Sequence, residues 1–68
     1  MSPLSLTPRR RAVADLLADG WSNDEIAARL GMSLGNVKRI VGLLYAEAGV
    51  HDRVRFTAFW LRKREEVA

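Results

Sequence analysis

Residues 23–42 read NDEIAARLGMSLGNVKRIVG, and their spacing decides the fold. A helix, a tight glycine turn and a second helix with adjacent basic residues follow one another, the order of a helix-turn-helix. Each landmark meets a physical demand. Ala27 is small enough to let two helices approach closely. Gly31 can take φ > 0 at the end of the first helix without a Cβ penalty. Val37 turns an apolar side chain back under the first helix. In such a unit the second helix is the one that enters the DNA major groove.

Punctuation outside this stretch divides the chain into four helices. Thr7-Pro8 begins the first, with Thr7 as cap and Pro8 at the first helical position, where its missing N–H costs nothing. Val13, Leu16 and Leu17 have helical spacing, and Gly20 stops the helix. Ser22 begins the second, and Glu25 completes a capping box. Ile26, Ala27 and Leu30 form its inner face. Ser33 caps the third, which spans 34–48 and turns Val37, Ile40, Val41 and Leu44 inward before Gly49. Asp52 caps the fourth, which runs over 53–66. Nothing reads as a strand.

The fourth helix has two apolar faces. At roughly 100° per residue, Val54, Thr57, Ala58 and Leu61 share one arc, and Phe56, Phe59, Trp60 and Val67 the opposite one. One arc can cover the core, and little chain is left to bury the other. Exposed aromatics are costly without a partner. Phe56, Phe59 and Trp60, with Lys63 beside them, are therefore expected to form a dimer or partner interface. The competing reading folds helix 1 or the N-terminal segment over them.

Composition narrows the classes. Sixty-eight residues make one small domain near the lower limit for an independent core. Apolar content of 49% argues against disorder, and the absence of cysteine removes any disulfide or thiolate-metal staple. No run of about 18 apolar residues is available to cross a bilayer. The start lacks the apolar stretch of a secretory signal, so a cytoplasmic location is the default. His51, the lone histidine, sits beside the Asp52 cap and reads as a surface or capping residue. Without a carboxylate pair, nucleophile, phosphate loop or metal-ligand spacing, neither an enzyme nor a cofactor, metal or small-molecule substrate is expected.

Eleven Lys and Arg against eight Asp and Glu leave a formal charge of +3, unevenly placed. Arg9–Arg11, Lys38-Arg39, Arg53 with Arg55, and Arg62–Arg64 form four basic clusters, which suit either phosphate contacts or solvated helix faces. Lys38 and Arg39 lie in the early turns of helix 3, where Arg or Lys opposite guanine is the commonest specific contact. Leu34 suits a thymine methyl. Asn36 suits adenine, a phosphate, or only local backbone groups. Ser33 and Gly35 leave the start of helix 3 open to a phosphate. Ser22, Asn23, Arg29 and Arg53 are candidate phosphate clamps, which position without carrying sequence information. Arg9, Arg10 and Arg11 serve solubility and helix-end packing more readily than contact. Gly42 costs helix 3 roughly 1 kcal/mol relative to Ala. Either it allows close approach of DNA or a helix, or it is tolerated.

Taken together, Leu6-Thr7-Pro8-Arg9, Val13, Leu16 to Gly20, Ser22 to Gly31, Ser33, Val37-Lys38, Leu44, Gly49-Val50 and Arg53 resemble the LuxR-type DNA-binding domain, also called GerE- or NarL-like. The likeness runs from Leu6 to about Leu61, and SNDEIAARLG followed by S-x-x-x-V-K is its most specific part. It implies an all-α, four-helix helix-turn-helix domain, here over residues 6–66 after a tail at 1–5. It also implies transcriptional regulation, helix 3 in the major groove, helix 4 making a dimer, and Arg53 near the DNA backbone. Departures from the pattern are Arg10 in place of a usual glutamate, Leu34 for another, Asn36 for Thr and Ile40 for His. Gly42 replaces a polar or basic residue, and Glu47 a Lys.

The expectation is thus a sequence-specific regulator that binds double-stranded DNA as a homodimer, with no membrane partner. The alternative keeps the fold but binds another regulator or the transcription machinery through the aromatic face of helix 4. The chain carries no sensor or receiver region, so it is either the output domain of a longer regulator or a free-standing one of the GerE kind. The Met-Ser-Pro start leans toward the second.

Overall fold

The computed structural model describes residues 6–67, with side chains described through Glu65. Four helices follow in order: α1 Pro8–Ala18, α2 Asn23–Leu30, α3 Leu34–Ala48 and α4 Arg53–Val67. No strand occurs among the described residues. The tail expected at 1–5 lies outside them, as does the side chain of Val67.

Local chemistry sets where each helix starts. The Thr7 hydroxyl accepts the Arg10 N–H at 3.1 Å, with Pro8 following it. At α2 the Ser22 hydroxyl accepts from Glu25 N–H at 3.1 Å while Glu25 Oε1 accepts from Ser22 N–H at 2.8 Å, a complete capping box. Ser33 accepts from Asn36 N–H at 3.2 Å, and the Asp52 carboxylate from Arg55 N–H at 2.8 Å. Gly31 ends α2 with φ +65°, and the following Met32 N–H reaches back to the Ala27 carbonyl at 2.9 Å. That left-handed step reverses the chain tightly enough to lay α3 against α2.

The core takes Val13, Ala14 and Leu17 from α1, Ile26 and Ala27 from α2, and Val37, Ile40, Val41 and Leu44 from α3. The four α3 residues are those that helical spacing selects. Leu16 and Leu30, expected inside, are half-buried against this cluster.

The packing of α4 corrects the expected interface. Phe56 is 0% exposed and Trp60 3%, so both are core residues and neither is available to a partner. The rings of Phe56 and Trp60 stack 6.2 Å apart, and Tyr45 closes on Phe56 at 5.6 Å. Burial of this cluster pushes the Tyr45 hydroxyl pKa up. The outward arc is the aliphatic one: Val54 is 79% exposed, Leu61 40%, and Ala58 is also exposed. Volume and a polar handle explain the choice. In so small a domain, two large aromatics fill the gap between α1 and α4 that Val and Ala would leave open. Trp60 also has a partner for its N–H, because Nε1 donates to Asp15 Oδ1 at 2.8 Å. The same oxygen accepts from Arg64 at 3.0 Å, fastening α4 to the middle of α1.

Arg10 and Glu47, two departures from the family pattern, approach within 4.0 Å of each other. An arginine on α1 and a glutamate on α3 thus replace a glutamate and a lysine.

Candidate nucleic-acid interface

With Val37, Ile40, Val41 and Leu44 turned inward, the 100° step of the helix fixes what α3 shows outside. Gly35, Arg39, Gly42 and Ala46 run along the outermost line, and Asn36 and Lys38 flank it on opposite sides. All six are exposed, whereas Leu34 is half-buried at the start of the helix. A Cβ built on Gly35 or Gly42 would meet nothing within 4 Å. Neither glycine is required by the fold. Arg39 therefore stands between two positions without side chains, on a surface to which another molecule's edge can come close. Glu47 subtracts little from the positive charge of this face because it is turned toward Arg10.

The two helix starts in the motif differ in charge. The first turn of α3 has no acidic residue. The Ser33 oxygen accepts the cap bond and keeps its O–H to donate, and the Leu34 and Gly35 N–H groups precede the first intrahelical bonds. Such an end attracts a phosphate. At the start of α2, by contrast, Asp24 and Glu25 already supply negative charge. Hydrogen bonds from the Ser22 backbone and side chain lower the Glu25 pKa, with smaller help from the Arg53 charge. The field at Ser22 and the half-buried Asn23 therefore favours an anion less than the field at Ser33 and Gly35.

The two arginine clamps also separate. Arg29 is exposed in the last turn of α2, with its guanidinium carbon 5.6 Å from the centroid of the Trp21 ring. Arg53 is drawn inward. Its Nη2 donates to the Leu17 carbonyl at 2.9 Å and to the Trp21 carbonyl, placing a cation where α1 ends without a basic residue of its own. Arg53 thus has a structural role through Nη2, beside the phosphate contact expected of it. Phe59 and Lys63, also assigned to an interface, are half-buried side by side, with the ammonium 6.0 Å from the ring centroid.

Trp21 and Asp15 escaped the sequence reading. Asp15 carries an apolar-versus-polar signal only as a polar residue in α1, and its bonds to Trp60 and Arg64 are tertiary. Trp21 adjoins the Ser22 cap, but nothing local ties it to Arg29.

Residues 4–59 match the family model described as bacterial regulatory proteins, luxR family. The chain is similar to the response regulator Rre1 of Synechocystis sp., at 40% identity over 63 residues, covering 90% of this chain and 27% of that protein. It resembles the probable transcriptional regulatory protein SgaR of Hyphomicrobium methylovorum at 44% identity over 54 residues, covering 79% and 26%. The probable transcriptional regulator ycf29 of Porphyra purpurea is 32% identical over 59 residues, covering 87% and 28%. The chain spans about a quarter of the length of these relatives. No solved structure matches it. Among the described residues no helix is long and apolar enough to cross a membrane. With its four helices, its motif and this match, the chain belongs to the LuxR family of bacterial regulatory proteins.

Proposed function

We propose that this chain binds double-stranded DNA in a sequence-dependent way to regulate transcription, with α3 in the major groove. Lys38 and Arg39 read base edges, each good contact being worth roughly 1–3 kcal/mol of discrimination. Asn36 and Leu34 adjoin the same edges. Ser33, Gly35 and Arg29 hold phosphates, and Ser22 and Asn23 contribute less. The observation that carries this reading is the outer face of α3: two exposed cations among glycines, behind a helix start without acid. Membership of a regulator family supports it.

Two copies meet on a two-fold related site, and their interface sets the half-site spacing. The pairing surface is the outward arc of α4, Val54, Ala58 and Leu61, because Phe56 and Trp60 of the other arc are spent on the core. The same burial leaves the rival reading, an adaptor docking through Phe56, Phe59 and Trp60, only the half-buried Phe59 of its three aromatics.

Selection from a random-sequence duplex pool, followed by anisotropy titrations across a salt series, tests the proposal. Enrichment of one sequence is expected, with binding that weakens steeply as salt rises. Absence of binding at low salt would overturn it.

A further inference from the structure

We propose that Trp21 is a positioning residue that presents Arg29 to a DNA phosphate. This rests on the DNA-binding reading above and adds to it a device that holds one contact ready before DNA arrives.

The backbone of Trp21 is held from both sides of a short connection, and its side chain packs against the core cluster. The Trp21 N–H donates to the Leu16 carbonyl at 3.1 Å, tying it to the end of α1. Its own carbonyl accepts from Arg53 Nη2, which also holds the Leu17 carbonyl at 2.9 Å, tying it to the start of α4. Both neighbours of the loop therefore fix the backbone of Trp21, and its half-buried ring becomes a firm platform.

Arg29 lies over that platform at 5.6 Å from the ring centroid, and among the described residues it makes no ion pair. A guanidinium held against a ring face keeps its in-plane N–H groups for an oxyanion, and a planar fork already oriented loses less freedom when it binds. A free arginine on a helix surface would have to be ordered by the DNA itself. Arg53, itself a candidate phosphate clamp, acts here at one remove: it holds Trp21, and Trp21 holds Arg29.

A double-mutant cycle on the full chain, read by anisotropy on the selected duplex across a salt series, tests this. Arg29→Ala weakens binding and reduces the salt slope by about 0.9, the loss of one phosphate contact. Trp21→Leu weakens binding by about two- to fivefold, the worth of an exposed cation–π contact. Trp21→Phe retains most of the affinity. In the Arg29→Ala background, Trp21→Leu has no further effect. Arg29→Lys, which keeps the charge but not the planar fork, loses affinity in the wild-type background and little in Trp21→Leu. Equal weakening by Trp21→Leu in both backgrounds, or none in either, overturns the proposal while leaving DNA binding intact. A wild-type chain that binds no duplex overturns DNA binding and this proposal together.

If Trp21→Leu does not fold, Trp21 emission supplies the test, with the 3% exposed Trp60 as an internal background. Duplex is expected to change the emission in the wild type and not in Arg29→Ala. An equal change in both contradicts the proposal.

Discussion

Helices α3 and α4 have the same length, 15 residues each, and both carry apolar residues at helical spacing, yet only α3 declares which side faces in. In α3 the apolar stripe Val37, Ile40, Val41, Leu44 is opposed by glycines and cations, so burial has one solution. In α4 both arcs are apolar. Periodicity alone then leaves the choice to volume and to hydrogen-bond partners elsewhere in the chain. Phe56 and Trp60 win because they fill more space and because Asp15, on another helix, accepts the indole N–H. A stripe locates a core face only when its opposite is polar.

The largest effect should come from the inward side of α4. Phe56→Ala removes a ring with 0% exposure and is expected to cost about 3–5 kcal/mol, close to all the stability so small a domain commands. Val54→Ala, on the outward arc, should stay within about 0.5 kcal/mol. Urea denaturation compares them, and equal costs would reverse the assignment of the two arcs. Next in size is Arg53→Met, which strips a charged donor from the Leu17 carbonyl of α1 and the Trp21 carbonyl of the following loop and should cost about 1.5–3 kcal/mol.

On α3 the expected sign is opposite. Gly42→Ala should stabilise the fold by roughly 1 kcal/mol, since the added Cβ meets nothing. A loss of stability in thermal unfolding would mean that the outer face of α3 packs against something in this chain. Smaller still is the effect of the ion pair between Arg10 and Glu47. Arg10→Glu places two carboxylates together and should cost about 1 kcal/mol or less, and adding Glu47→Lys should restore most of it.

The capping box gives a pH signature. The folded-state pKa of Glu25 lies below its ordinary value, so its contribution to stability is complete above that ordinary value and is lost as pH falls through the lowered one. Carboxyl titration by NMR should show the depression, and Ser22→Ala should remove only the smaller share that the hydroxyl supplies, because alanine keeps the backbone N–H that contributes most.

What could be read from the sequence was local. Thr7, Ser22 with Glu25, Ser33 and Asp52 act on residues three positions away, so each helix start was visible, as was the inner stripe of α3. The exposed cations of α3 followed from that stripe. What escaped was tertiary. Asp15 reaches Trp60 and Arg64 across two helices, Arg53 reaches back to α1, and Arg10 and Glu47 were each visible as oddities but not as a pair. Trp21 and Arg29 become neighbours only once α2 has folded against its preceding loop.

The contrast between the two helices is tested most directly by Lys38→Ala with Arg39→Ala, titrated against the selected duplex and a random one. The variant is expected to stay folded, because both side chains are exposed, and to lose the preference for the selected sequence. Unchanged preference in a folded variant would contradict the assignment of α3 as the element that reads DNA.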